Sequence, residues 1–282
     1  MLVKANLEKS DWKKKIQNIK CWLLDMDGTV SLGEELLPGA DRFFKALSKQ
    51  RFIFLTNNSS HSAGHYIERM NRIGIPTARE NVLTSTDALI LYLKKYFKKS
   101  EKEGPITVYP VGTPDFESEL AEAGISIVKN KGESIDAVLL AFDTTLTYEK
   151  LDAACGYIRQ GIPYFATNPD KVCPLAEGKV LPDCGATLAY MEVCTGKLPV
   201  KVIGKPDRTM AQMVMETYGY SPDELAMVGD RIYTDLAFAK NAGILGIAVL
   251  TGEATFREIC ESKVEPDFVF DEISDIAGYL SF

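Results

Sequence analysis

Two carboxylates stand one residue apart in Leu23-Leu24-Asp25-Met26-Asp27-Gly28-Thr29, where an apolar run gives way to a Gly-Thr turn. In open α/β sheets, ligands bind beyond the carboxyl ends of the strands. Asp25 and Asp27 are therefore candidates for catalysis or metal binding at such an edge, and Gly28 for a tight turn that brings its backbone N–H close to a ligand. A plain Asp-Gly hairpin turn would also use Asp27, but no return strand follows at once. A second apolar run, Phe52–Leu55, leads into Thr56-Asn57-Asn58-Ser59-Ser60. These hydroxyls and amides, with the N–H groups of a following helix start, can hold an anion; the same residue types also cap ordinary helices. Val202-Ile203-Gly204-Lys205-Pro206 sets a single lysine after an apolar strand, without the G-x-x-x-x-G-K-[ST] spacing of a Walker loop. Finally, Ala226-Met227-Val228-Gly229 ends in Asp230, and Asp235 follows five residues later, where a first-turn helix acid would also sit well.

The combination is more specific than its parts. Brought to one sheet edge, the four segments make a nest of carboxylates beside a lysine and a cluster of polar donors. Two like charges about 4 Å apart repel by roughly 4 kcal/mol at an effective dielectric near 20. A hard divalent cation held by oxygen ligands removes that repulsion, and Mg²⁺ commonly keeps waters and a substrate phosphate around it. Lys205 and the donors of 56–58 then suit a phosphoryl group, whose transfer depends on positioning and charge neutralisation.

The elements that must hold these residues alternate along the chain. Short β-rich runs are expected at Lys20–Leu24, Arg51–Leu55, Ile106–Tyr109, Asp136–Phe142, Ile162–Ala166, Val200–Ile203, Leu225–Val228, Leu245–Leu250 and Asp267–Phe270. Amphipathic stretches of helix length separate them: Gly39–Lys49, Ala63–Ile73, Thr86–Lys98, Thr113–Ala123, Tyr148–Gln160, Ala186–Thr195, Arg208–Tyr218 and Thr234–Asn241. The alternation predicts an α/β fold with a mainly parallel sheet. Thr-Asn recurs after a strand at 56–57 and 167–168; Thr-Asn suits any strand exit, or the echo marks two related α/β units. Lys98–Pro105 reads as an exposed polar stretch, and the lead-in DWKKKIQNI as either a packed helix or an arm.

Composition narrows the function classes. With 39 acidic and 32 basic residues the net charge is −7, which disfavours binding nucleic acid through a basic face. No apolar run nears the roughly 20 residues of a membrane span, and MLVKANLEKSDWKKKIQNIK lacks the apolar core of a secretory signal. The expected compartment is the cytoplasm. Six scattered cysteines without a C-x-x-C pair, and only His61 and His65 beside them, predict free or buried thiols rather than a zinc site.

In order, type and spacing, D-x-D-G-T, T-N-N, G-K-P and G-D-x-x-x-x-D resemble the four motifs of the haloacid dehalogenase (HAD) superfamily. LLPGA, FLTNNSS, TNPD and AMVGDRIYTD resemble its branch of NagD and para-nitrophenylphosphatase-like enzymes, and the likeness runs over nearly the whole chain. The resemblance implies a Rossmann-like core of residues 1–84 and 199–282, with an α/β cap, 85–198, inserted to close over the crevice and select substrate. It implies Asp25 as the nucleophile that accepts the phosphoryl group. Asp27 would be the acid for the leaving alcohol and then the base for water. Thr56 and Asn57 would hold phosphoryl oxygens, with Gly28 and Asn58 beside them, and Lys205 would neutralise charge. Mg²⁺ would sit on Asp25, the Asp27 carbonyl and Asp230, with Asp235 behind them. Asn168, Pro169 and Asp170 are the substrate-facing candidates of the cap, followed by a turn at Cys184–Thr187. An inward Asp170 would favour sugar, polyol or nucleoside phosphates. The implied activity is Mg²⁺-dependent hydrolysis of a small phosphate monoester: a sugar, polyol, nucleotide or aryl phosphate. A phosphate-binding signalling module without turnover and a phosphomutase use similar motifs, and the resemblance leaves a homodimer open.

Overall fold

The computed structural model describes residues 2–3, 9–47, 50–99, 104–175 and 178–280. It divides into two compact units, Met1–Thr56 with Gly64–Leu83 and Lys205–Phe282, and Asn57–Ala63 with Thr84–Gly204. Residues 100–103 of the expected polar stretch lie outside the described residues. Among the described residues, no helix is long and apolar enough to cross a membrane.

The first unit is built on a seven-stranded sheet in the order Leu2–Val3, Phe268–Phe270, Leu245–Val249, Leu225–Gly229, Cys21–Leu24, Arg51–Thr56, Val82–Thr84. The five strands from Phe268–Phe270 to Arg51–Thr56 pair in parallel, and Leu2–Val3 adds an antiparallel edge. Cys21–Leu24 and Leu225–Gly229 are buried throughout, as expected when helices cover both faces of a parallel sheet. Helix Ala40–Leu47 drives Phe43 edge-on into Trp22 at 5.6 Å and Phe44 into Phe52 at 5.0 Å. Such aromatic pairs add to their area burial. The lead-in forms a helix, Lys9–Asn18, and buries Ile16.

Register aligns the ends of three strands. Leu24 pairs with both Val228 and Phe54, so the chain leaves the sheet at one level as Asp25, Leu55–Thr56 and Gly229–Asp230. A hairpin, Ser31–Leu32 with Glu35–Leu36, follows the first of these exits. The sequence reading foresaw no strands there.

The second unit carries a five-stranded sheet in the order Lys201–Val202, Tyr164–Ala166, Ala137–Leu140, Thr107–Val111, Ser126–Ile127, all in parallel pairs. Helices Ser85–Lys99, Pro114–Glu122, Tyr148–Arg159 and Cys184–Thr195 belong to it. Thr113 and Thr147 cap two of them by accepting backbone N–H bonds. The strand before Lys205 therefore lies in a different sheet from the strands that end at Asp25, Thr56 and Asp230. Cys184 to Thr187, expected as a turn, form the first turn of a helix capped by Asp183.

Candidate active site

Lys205 joins the acids of the first unit. Its Nζ donates to Asp25 Oδ1 at 2.5 Å, to Asp235 Oδ1 at 2.7 Å and to the Leu55 carbonyl at 3.2 Å. The lysine and Asp235 are fully enclosed, while Asp25 keeps partial exposure. Thr56, the last residue of its strand, is buried directly after Leu55.

Asp230 leaves the neighbouring strand and is fixed from three sides. Its Oδ1 accepts from Thr29 Oγ1 at 3.2 Å, its Oδ2 from the Glu253 N–H at 2.8 Å, and its carbonyl from the Ala254 N–H at 2.9 Å. Two glycines make room for it. A Cβ on Gly28 would lie 2.4 Å from Asp230 Oδ2, and one on Gly252 2.0 Å from the same atom. Gly28 also takes φ +87°, a left-handed value that glycine adopts without steric cost. Its N–H donates to the Ser31 carbonyl at 2.8 Å, so the turn itself uses that donor. Asp235 sits in a wide turn, Ile232–Leu236, ahead of the helix Ala237–Ala242. Its Oδ2 accepts from the Arg231 N–H at 3.1 Å.

These acids crowd one another. Carboxylate oxygens of Asp25, Asp230 and Asp235 all lie within 4.8 Å of one another. Burial, with Asp25 adding to it, pushes the Asp230 carboxyl up to about 6. Burial also pushes Asp235 up to about 7: Lys205 pulls it down, but Asp25 and Asp230 add to the rise. Burial alone would lower the Lys205 ammonium, yet Asp235 and Asp25 outweigh it and raise it. The lysine therefore stays charged, and what the site penalises is the surplus negative charge. A compact set of hard oxygen donors with more negative charge than its lysine can balance fits a divalent cation such as Mg²⁺.

Asp27 points elsewhere. Its two oxygens accept from Nη1 of Arg69, at 3.2 Å, and from Nη2. Its side chain is half exposed, whereas that of Arg69 is 8% exposed.

In the second unit the two Thr-Asn segments interlock. Asn168 Nδ2 donates to the Asn57 carbonyl at 2.8 Å, Asn57 Nδ2 to Asp170 Oδ2 at 3.0 Å, and the Ser59 and Thr167 hydroxyls share a bond of 2.9 Å. Asn168 is fully buried, and its Oδ1 accepts from the Asp170 N–H at 2.9 Å. Asn58 Oδ1 accepts from the N–H and the hydroxyl of Ser60.

Arg69 and the Gly252-Glu253 turn stand outside the motifs read from the sequence, and Thr29, read there as part of the Gly-Thr turn, takes the further role of a donor to Asp230. For Arg69 one signal existed: it lies in helix Ala63–Arg72 beside Tyr66 and Met70, on the buried side. Thr29 and Gly252-Glu253 act only through tertiary contacts with Asp230.

Comparison with known proteins adds independent findings. Residues 22–126 match the family model of haloacid dehalogenase-like hydrolases, and 202–276 match a related HAD-hydrolase-like model. The chain is 33% identical to an acid sugar phosphatase of Staphylococcus epidermidis, over 92% of this chain and 97% of that one. It is similar to the crystal structure of a 4-nitrophenylphosphatase from Thermotoga maritima, with a TM-score of 0.87 and 38% identity over 94% of this chain and 98% of that one. It is also similar to a glycerol phosphate phosphatase from Mycobacterium tuberculosis solved in complex with magnesium, with a TM-score of 0.83 and 28% identity over 93% of this chain and 78% of that one.

Proposed function

Because the chain belongs to the haloacid dehalogenase-like hydrolases, in the branch of NagD and the nitrophenylphosphatases, we propose how its own residues divide the work of a phosphatase. The protein is a Mg²⁺-dependent phosphomonoesterase that acts on a small phosphorylated metabolite through an aspartyl-phosphate. The observation that carries this reading is the triangle of Asp25, Asp230 and Asp235 closed by Lys205.

Asp25, Asp230 and the Asp27 carbonyl would hold the Mg²⁺, with Asp235 setting the lysine and the loop behind them. When bound, the ion supplies positive charge to balance the carboxylates and the phosphoryl oxygens. An oxygen of Asp25 attacks phosphorus as the ester P–O bond breaks, and the electron pair leaves with the alcohol oxygen. Asp27 donates a proton to that oxygen, then takes one from the water that attacks the phosphoaspartate. The Asp25–phosphorus bond then breaks and inorganic phosphate is released. Dividing hydrolysis between two displacements replaces one hard step with two easier ones. Lys205 holds Asp25 in place and keeps a positive charge beside it. Thr56 and Asn57 take the phosphoryl oxygens, with Gly28 and Asn58 shaping the loops that carry them.

We assign 1–84 and 199–282 to a catalytic core and 85–198 to an inserted cap that selects substrate, with strand Lys201–Val202 counted to the cap because it pairs in the second sheet. Asn168 serves by bracing Asn57, and an inward Asp170 would disfavour strongly anionic leaving groups, in line with a sugar, polyol or nucleoside phosphate. The acid sugar phosphatase and glycerol phosphate phosphatase relatives support the same class. The net charge of −7 supports small esters rather than nucleic acid as partners. Six free thiols support a reducing compartment such as the cytoplasm. A homodimer is the assembly to test first, by light scattering. The function itself is tested by a phosphate-release screen over sugar, polyol, nucleotide and aryl phosphates, with and without Mg²⁺. Release that requires Mg²⁺ and disappears in Asp25→Asn is expected; no turnover on any ester with metal present overturns the reading.

A further inference from the structure

Two cysteines that the phosphatase chemistry does not use meet between two packed helices. Cys155 lies in helix Tyr148–Arg159 and Cys194 in the last turn of helix Cys184–Thr195, both in the second unit. Several contacts bring them together. Cys155 Sγ donates to Met191 Sδ at 3.5 Å, and Met191 stands about one helical turn before Cys194. Arg159, about one turn beyond Cys155, donates from Nη1 to the Cys194 carbonyl at 3.2 Å. The Cys194 thiol itself lies within hydrogen-bonding reach of the Cys155 thiol: burial pushes Cys155 up, and Cys194 adds to that rise both by charge and by hydrogen bond. Tyr190, a turn before Cys194, shares a hydrogen bond with the same thiol. Both cysteines are half-buried, so a small oxidant can reach them. Cys21 and Cys184 are buried instead, and burial pushes each thiol up to about 12, which withholds the reactive thiolate. Cys173 and Cys260 lie on other elements, strand Val172–Pro174 and helix Phe256–Glu261.

We propose that Cys155 and Cys194 are a modification site, a thiol pair that hydrogen peroxide converts to a reversible disulfide stapling the two helices of the second unit. Packed helices run about 8–10 Å apart with Cα atoms about 2.3 Å from each axis. Facing residues can therefore bring their Cα atoms within the roughly 4.4–6.8 Å that a disulfide spans. One thiolate attacks a peroxide oxygen, the O–O bond breaks, and the departing hydroxide takes the thiol proton, leaving a sulfenic acid and a water. The neighbouring thiolate then attacks that sulfur. The S–S bond forms as the S–O bond breaks, and the hydroxide released takes the second thiol proton to give another water. The two thiols give up a pair of electrons and a pair of protons, and one peroxide accepts both. A thiol reductant reverses the bond by exchange. Helix Cys184–Thr195 also supports the Asp170 loop, because the Gly185 N–H donates to the Asp170 carbonyl at 2.7 Å. The staple therefore anchors the helix on which that loop rests. No step of ester hydrolysis is needed to form it.

The test exposes the folded, reduced protein to hydrogen peroxide, blocks the remaining thiols with iodoacetamide and maps tryptic peptides before and after dithiothreitol. Peptide Leu151–Arg159 is expected to be joined to Val180–Lys197, and tandem mass spectrometry should place the bond on Cys194 rather than Cys184. The link should vanish on reduction. The bond closes a loop of roughly 40 residues, so the oxidised protein should melt about 5 °C higher than the reduced one. Cys155→Ser and Cys194→Ser should each lose both the link and the rise. Should a variant fail to fold, the peptide map and melting curves of the wild type carry the test. Oxidation of Cys155 and Cys194 to sulfinic acids without a link overturns the proposal, as does a link to another cysteine in its place or one that forms only in urea. A linked protein that melts no higher than the reduced one overturns the staple. Phosphate release is measured separately, and its loss or retention bears on the phosphatase reading alone.

Discussion

At the scale of single residues, the centre of the site is a lysine that faces two acids with a third close by. Lys205 is 2% exposed and Asp235 fully buried, and the two form a buried ion pair that Asp25 shares. Replacing Lys205 with Met would leave Asp235 and Asp25 facing an apolar tip. Breaking a buried pair by removing one partner costs about 3–5 kcal/mol, and urea unfolding of Lys205→Met in chelator should show a loss of that order. An unchanged midpoint would mean that the acids are neutral without the lysine. Asp25→Asn addresses chemistry instead. An amide cannot form the phosphoaspartate, and phosphate release should fall by on the order of 10³-fold or more. If the variant retained wild-type turnover, Asp25 would not be the nucleophile.

Secondary elements decide where these side chains arrive. Because Leu24 is in register with both Phe54 and Val228, three loops begin at one level, and a slip of one residue would turn Asp25 to the opposite face. Loops beyond the register set the finer geometry. The turn at Gly252 comes so close to Asp230 that a methyl group would lie 2.0 Å from its Oδ2. Gly252→Ala must displace the carboxylate or the turn, with an overpacking cost of roughly 1–3 kcal/mol. Its Mg²⁺ dependence should move to higher concentration while helix content by circular dichroism stays the same. Wild-type Mg²⁺ dependence in this variant would show that Asp230 need not stay where the turn holds it.

For the molecule as a whole, the crowded acids tie stability to pH and to metal. Asp230 and Asp235 titrate at about 6 and about 7 in the folded chain, against about 3.9 for an ordinary aspartate. Groups raised in this way bind protons more tightly when folded, so their contribution is full below about pH 4 and is lost as pH rises through 6 and 7. Metal-free protein should therefore melt at a lower temperature at pH 8 than at pH 5. Mg²⁺ competes with those protons, so it should raise the melting temperature more at pH 8 than at pH 5. A ligand that binds only the folded state at 100 times its Kd adds about 2.7 kcal/mol. Differential scanning calorimetry in chelator and in Mg²⁺ checks both signs. Equal melting temperatures in chelator at the two pH values, or no effect of Mg²⁺ at pH 8, would remove the cluster from the metal's account.

Much of this protein could be read before any fold was known. Apolar runs that break into Asp25, Thr56 and Asp230 announce strands with reactive ends, because a strand buried on both faces must be apolar and its polar residues must wait for the exit. The helices between them were legible for the same reason: one face has to meet the sheet. Other features had no local sign. The Ser31–Leu36 hairpin is too short to show a period, and the strand before Lys205 pairs in the second sheet although it reads like its neighbours. Asp27's partner is an arginine 42 positions away, and Asp230 is held by Glu253, which carries no motif, and by Thr29, whose place at the end of the first motif gives no sign of that bond. Residue type and local period are properties of the chain, so composition, alternation and the acids themselves were determined by sequence. Which charges meet depends on strand order and on distances between residues far apart in the chain, and those are set only when the whole core packs.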